Sequence, residues 1–177
     1  LGTSTNAFTG AVTLTTNDGD GTAANVTIDG GTTALVIAAS TVDGDLTLTS
    51  GNVAGITDTG TLTIGGNLSA TTDANAGVVT LDNLAVDGSI ALATNSTGNA
   101  TVSNDAGLEF AASTVGGALT ATAVTGNIID SGALTIAGTS AFTTSADDAT
   151  ITLNTATNAF TGAVTLTTND GDGTAAN

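Results

Sequence analysis

The chain has 177 residues, a net charge of −16 and 40% hydrophobic residues, with no Lys, Arg, His, Cys, Met, Pro, Trp or Tyr. Without cationic side chains it is excluded as a nucleic-acid binder, because phosphate contacts depend on them, and its apolar content is too high for a disordered acidic tract. The usual catalytic base, thiol nucleophile and cationic stabilisers are missing as well, so no catalytic residue and no required cofactor are expected. No apolar run reaches the length of a membrane span, and solvent divalent cations are the natural counter-charges.

Residues 1–25 recur as residues 153–177, an offset of 152, with differences only at Gly2/Asn154 and Ser4/Ala156. A weaker repeat lies inside that period. Ser40-Thr-Val-Asp-Gly-Asp-Leu-Thr-Leu-Thr returns about half a period later as Ser113-Thr-Val-Gly-Gly-Ala-Leu-Thr-Ala-Thr, and Gly60-Thr-Leu-Thr-Ile-Gly returns as Gly132-Ala-Leu-Thr-Ile-Ala. Each long period therefore holds two diverged modules.

Glycines at 10, 44, 66, 88, 117, 138 and 162 each precede a five-residue segment of period two. They divide the chain into units 10–43, 44–65, 66–87, 88–116, 117–137 and 138–161, with 162–177 starting the next repeat. Val12/Leu14, Leu46/Leu48, Leu68/Ala70, Ile90/Leu92, Leu119/Ala121, Ser140/Phe142 and Val164/Leu166 take the inward positions. The residues between them, mostly Thr, point outward, since successive strand side chains face opposite ways. The unit 44–65 reads as Leu46-Thr-Leu-Thr, then 53–56, then Thr61-Leu-Thr-Ile, with turn residues between.

Units of 21–34 residues with about three short strands each predict an all-β, parallel β-helix (β-solenoid) built as one continuous body. The two longest units carry their extra residues in loops at 17–25 and 95–104. Six coils at the sheet spacing would advance about 29 Å per period. A two-sheet sandwich is the competing fold, and stacking of the 152-residue repeat favours the solenoid. No segment has helical periodicity.

Asn6-Ala-Phe-Thr-Gly-Ala-Val-Thr-Leu-Thr, Ala39-Ser-Thr-Val-Asp-Gly-Asp-Leu-Thr-Leu and Asp130-Ser-Gly-Ala-Leu-Thr-Ile-Ala-Gly resemble the repeats of very large, filamentous-haemagglutinin-like bacterial adhesins. The resemblance covers nearly the whole chain. It implies a right-handed parallel β-helix, export through an outer-membrane route and a place at the bacterial cell surface, in adhesion, aggregation or fibre formation. It carries over no catalytic or ligand residue.

The sharpest local motif is Asn17-Asp-Gly-Asp-Gly, repeated as Asn169-Asp-Gly-Asp-Gly. Clustered Asp and Asn oxygens on a glycine-rich loop suit calcium, which makes Asn17, Asp18, Asp20, Asn169, Asp170 and Asp172 the candidate ligands. The loop lacks a third acidic ligand at EF-hand spacing and a bidentate Glu, and Asp and Gly are also ordinary turn formers. Outward pairs Thr13/Thr15, Thr47/Thr49, Ser69/Thr71 and Thr120/Thr122 are expected to stack on one face, the arrangement of an ice- or carbohydrate-binding module. Asp147-Asp148 is the only adjacent carboxylate pair, the residues a polysaccharide-degrading β-helix would need. The four Phe are read as core or corner fillers.

The expected function is that of a structural repeat in an extracellular fibre, stalk or sheath, with adjoining repeats and further copies as partners. A calcium-dependent binding module is the alternative.

Overall fold

Runs of alternating apolar and small polar side chains, cut at short intervals by Gly, Asn and Asp, produce short strands. The computed structural model describes residues 1, 2, 5–16, 22–169 and 171, and among these there are nineteen strands and no helix. The first half carries β1 (Val26–Asp29), β2 (Leu35–Ile37), β3 (Ser40–Val42), β4 (Leu46–Ser50), β5 (Ile56–Asp58), β6 (Leu62–Ile64), β7 (Leu68–Asn75), β8 (Val79–Val86) and β9 (Ser89–Asn95). The second carries β10 (Ala100–Asn104), β11 (Leu108–Phe110), β12 (Ser113–Val115), β13 (Leu119–Ala123), β14 (Ile128–Asp130), β15 (Leu134–Ile136), β16 (Ser140–Asp147), β17 (Ile151–Thr152), β18 (Ala159–Phe160) and β19 (Val164–Asn169).

Every strand pairs in parallel with the strand one coil away, which makes the molecule a β-solenoid. One sheet runs β1-β4-β7-β9-β11-β14-β17 with β12, β15 and β18 alongside; the other runs β2-β5-β8-β10-β13-β16-β19 with β3 and β6 alongside. Each path has seven strands. Inward side chains of both sheets form one core, in which Leu46, Leu48, Leu62, Leu134 and Phe142 are fully buried. At about 1.5–3 kcal/mol for each large apolar side chain removed from water, this column of Leu, Ile, Val and Phe is the main source of stability. A sandwich of antiparallel strands is thereby excluded.

The coil count is seven, not the six that the glycine spacing suggests. Register steps are uneven, from the short one that pairs Ala100 with Leu119 to the long one that pairs Thr15 with Thr41. Val12 bridges Ile37 next to the second sheet, whereas Leu46 begins β4 in the first. The long unit 10–43 is therefore about one and a half turns. So is unit 88–116, which leads from Ile90 in β9 to Leu119 in β13 on the opposite sheet. The segment 95–104, expected as a loop, is the end of β9, a short turn at 96–99 and β10. Seven coils at the sheet spacing advance about 34 Å for each long period. A smaller difference lies at 53–56, where Val53 is an exposed turn residue and the strand begins at Ile56.

The two half-turns have a structural consequence. Each module holds three and a half coils, so every strand of the first has its counterpart on the other sheet in the second. β4 and β13 are equivalent in sequence, as are β3 and β12, yet they lie in opposite sheets. The modules are related by a half-turn about the solenoid axis, and translation is restored only after both.

Candidate functional surface

The glycines that mark the units form two columns. Gly66 N–H donates to Gly44 C=O at 3.0 Å and Gly88 N–H to Gly66 C=O at 3.1 Å at one corner; Gly117 N–H to Gly98 C=O at 2.8 Å and Gly138 N–H to Gly117 C=O at 2.9 Å form the other. Beside the first column runs a side-chain ladder. Asn25 Oδ1 accepts from Asp45 N–H at 2.7 Å, Asp45 Oδ1 from Asn67 N–H at 2.8 Å, and Asn67 Oδ1 from Ser89 N–H at 2.9 Å. At the second column Asn99 Oδ1 accepts from Ala118 N–H at 2.8 Å. A Cβ on Gly44 would stand 2.3 Å from Asn25 Oδ1, and one on Gly117 2.2 Å from Asn99 Oδ1. Backbone of the neighbouring coil closes the same space, with Ala24 C=O 2.8 Å from a Cβ on Gly44 and Thr97 C=O 2.5 Å from one on Gly117, so the glycines are required by the close approach of successive coils.

Carboxylates serve the same purpose on the faces. Asp58 accepts from the amides of Asp82 and Asn83 at 3.2 and 2.9 Å, where the inward–outward alternation of β8 is broken by two consecutive exposed residues. Asp130, its counterpart in the second module, accepts from the amides of Asn154 and Thr155 at 2.9 and 3.2 Å and from Asn158 Nδ2 at 2.6 Å. Partial burial pushes the Asp130 carboxyl up, but the bonds from Asn158, Asn154 and Thr155 outweigh it and hold the group below its ordinary value. A hydrogen bond from the Thr16 hydroxyl likewise lowers Asp43, against a smaller opposing effect of burial. Sequence reading gave these acids no role. The signal available was the recurrence of Asp at 58 and 130 at equal places in the two modules.

Of the candidate calcium ligands, Asn17, Asp18, Asp20, Asp170 and Asp172 lie outside the described residues. Asn169 ends β19, exposed, and its Nδ2 donates to Ser145 C=O of the preceding coil at 3.0 Å; Asn95 does the same to Asp73 C=O at 2.8 Å. Gly171 N–H donates to Asp147 Oδ1 at 2.6 Å, so a carboxylate of the preceding coil reaches the one described glycine of the repeated motif. Among the described residues no group of three or more acidic side chains is gathered. Asp147 and Asp148 are both exposed, Asp148 in a left-handed turn at φ 57°.

The hydroxyl pairs do not share one face as expected. Thr47/Thr49 and Ser69/Thr71 stack on the first sheet and meet Ala91/Ala93 above them. Thr120/Thr122 belong to the second sheet, between Thr101/Ser103 and Ala141/Thr143, and Thr15 bridges Thr41 on that side. The half-turn between modules splits the ladder onto opposite faces. Phe110 and Phe142 are fully buried, and Phe110, Phe142 and Phe160 form a chain of edge-to-face contacts, each with centroids 6.1 Å apart.

Residues 23–95 and 97–167 each match the family described as repeats of unknown function (DUF5649). The chain belongs to that family. No curated protein and no solved structure matches it. The two family repeats coincide with the two modules: one spans β1 to β9, the other reaches from just before β10 into β19. A family repeat is therefore three and a half coils of solenoid, and successive repeats present like surfaces on opposite sides. The repeats retain core, glycine columns and the Asp58/Asp130 device, while Asp43 and Asp45 of the first give way to Gly116 and Ala118 in the second.

Proposed function

We propose that the chain is a structural repeat of an extracellular fibre, stalk or sheath at a bacterial cell surface, adhesive in its setting and without a catalytic role. The observation that carries this reading is a set of Asn and Asp side chains in both repeats whose oxygens bond from one coil to the next. Asn25, Asp45, Asn67, Asn99, Asp58 and Asp130 all bond to the neighbouring coil, and none of them is gathered into a pocket. Such a stack exposes sheet edges only at its ends. A chain without Lys or Arg gives trypsin-like proteases no cleavage site, which suits exposure outside a cell. Uniform negative charge keeps neighbouring shafts apart until divalent cations bridge them. Immunogold labelling of the producing cells, with an antibody against this chain, tests the reading. Label along surface filaments or a surface layer is expected; label confined to the cell interior overturns it.

A calcium-dependent binding module is the second reading, favoured by the contact between Asp147 and Gly171 beside a loop rich in Asp and Asn. A bound ion would relieve local repulsion and couple two coils. A melting temperature raised by calcium and restored to its starting value by chelator supports it, and an unchanged melt removes calcium from the account.

A further inference from the structure

We propose that the corner where the two family repeats meet is a binding site for a lysine side chain of a partner protein, in a cavity that neither repeat forms alone. The cavity has a volume of about 310 Å³. The first repeat contributes Val86, Asp87 and Gly88 to its lining, and the second contributes Leu108, Glu109 and Ile129.

Its position follows from the corner geometry. Along the first glycine column, Gly66 and Gly88 give their N–H groups to the preceding coil. Ser89 pairs with Glu109, so Leu108 stands one coil beyond Gly88. Leu108 N–H points the other way and donates to Asn127 C=O at 2.8 Å. The column therefore stops at Gly88, and the cavity opens where it stops.

One side of the cavity is apolar. Val86 and Leu108 are buried beneath it, and Ile129 stands 40% exposed at its edge. The other side is acidic. Pairing places Glu109, half-buried, between Ser89 and Ile129 on the outer face of the first sheet, and Asp87 is exposed one coil earlier. Most of the described carboxylates are used within the chain, as at Asp29, Asp45, Asp58, Asp130 and Asp147, each of which accepts from a backbone amide. Those of Asp87 and Glu109 accept no hydrogen bond from it. Asn127, also on the lining, has its Oδ1 taken by Thr150 N–H at 2.8 Å.

Two unbonded carboxylates facing an aliphatic wall define the occupant by complementarity: a cation that donates hydrogen bonds, carried on an apolar stem. A lysine side chain is that combination, an ammonium with three donors on a stem of methylenes that packs along apolar surface. Calcium suits the cavity poorly, because it takes about six to eight oxygen ligands and much of the lining is Val86, Leu108 and Ile129. The volume lies at the lower end of the range of about 300–1,000 Å³ for ligand pockets, which suits one inserted side chain. No side chain of another copy can fill the role, since the sequence has no Lys or Arg. The proposal deepens the surface-shaft reading by naming the chemistry of what the shaft holds, and it can be tested in solution.

The test titrates the full chain at low ionic strength with Nα-acetyl-lysine methylamide, its norleucine counterpart, which keeps the stem and lacks the ammonium, and glucosamine. Methyl and amide resonances report where each probe binds. Saturable shifts at Val86, Leu108, Glu109 and Ile129 with the lysine probe, and none with norleucine, are expected. Glu109→Gln and Asp87→Asn should each weaken the lysine probe about tenfold. Asp73→Asn, which removes the same charge from an exposed position near the end of β7, should leave its affinity unchanged. Shifts spread over all the exposed carboxylates, or equal weakening by Asp73→Asn and Glu109→Gln, would reduce the effect to overall charge and overturn the site. So would the absence of saturable shifts, or norleucine binding as well as lysine. Saturation by glucosamine at the same concentrations would make the occupant an amino sugar and overturn the assignment to a protein partner. An empty cavity leaves the cell-surface reading standing, and an intracellular location leaves the titration standing.

Discussion

Ser40 and Ser113 occupy equivalent places in the two modules, on opposite sheets of the solenoid, and their hydroxyls make the same two bonds. Ser40 Oγ donates to Ala38 C=O at 2.7 Å and accepts from Leu14 N–H at 2.9 Å; Ser113 Oγ donates to Ala111 C=O at 2.9 Å and accepts from Leu92 N–H at 3.0 Å. Both serines are buried. A strand that ends short of its neighbour leaves one amide of the adjacent coil without a carbonyl, and the serine supplies the missing acceptor.

Ser113→Ala removes that acceptor and leaves the Leu92 amide buried without a partner, a cost of about 1–3 kcal/mol. Thermal melting followed by circular dichroism should show a clear loss. Ser40→Ala removes the same acceptor from the Leu14 amide and should cost a similar amount. Equal and negligible shifts at both sites would deny the hydroxyls this role.

Gly55 has φ +66°, and a Cβ there would stand 1.7 Å from Val78 C=O of the next coil. Gly55→Ala is expected to destabilise by about 2–4 kcal/mol, from the left-handed backbone and the forced separation of two coils. Gly10 has open space around the same atom, and Gly10→Ala should stay within about 0.5 kcal/mol. A melting comparison of the two alanine variants decides it.

Phe142 sits at the centre of the ring chain, edge-on to Phe110 and Phe160 from the opposite sheet. Phe142→Ala should cost about 3–5 kcal/mol through the cavity it leaves. Phe142→Leu, which keeps most of the volume, should cost less. Denaturant titration of the two variants is the measurement, and similar midpoints for both would mean that the rings are not packed as described.

Strand alternation, the inward residues and the parallel stack were legible in the sequence because period-two patterning depends only on which way a side chain points. Leu46 and Leu119 have the same pattern around them and the same preceding glycine. Nothing local marks one as belonging to the first sheet and the other to the second. That ambiguity is why counting glycines gives six coils and a single Thr face, where hydrogen bonding gives seven coils and two faces. The length of units 10–43 and 88–116 was the available clue, and reading it as loop concealed a half-turn. The ladder formed by Asn25, Asp45 and Asn67 was illegible for a related reason: each partner is about one coil away in sequence, and only the register tells which amide each oxygen meets.

Asp130 gives the sequence-distant contact a pH signature. Its carboxyl is held below the ordinary value of 3.8 in the folded chain, since burial is outweighed by bonds from Asn158, Asn154 and Thr155. A group whose folded value is depressed binds fewer protons folded than unfolded, so its contribution is fully present above the unfolded value and is lost as pH falls through the folded one. Asp130→Asn keeps the shape but removes the charge. The wild-type chain should therefore melt above the variant at neutral pH, and the gap should close as acid protonates the carboxylate. Because the other carboxylates titrate in both proteins, their effects largely cancel in the difference. A gap that stays constant from neutral to strongly acidic pH would show that the carboxylate charge does not hold the turn at Asn154 and Thr155.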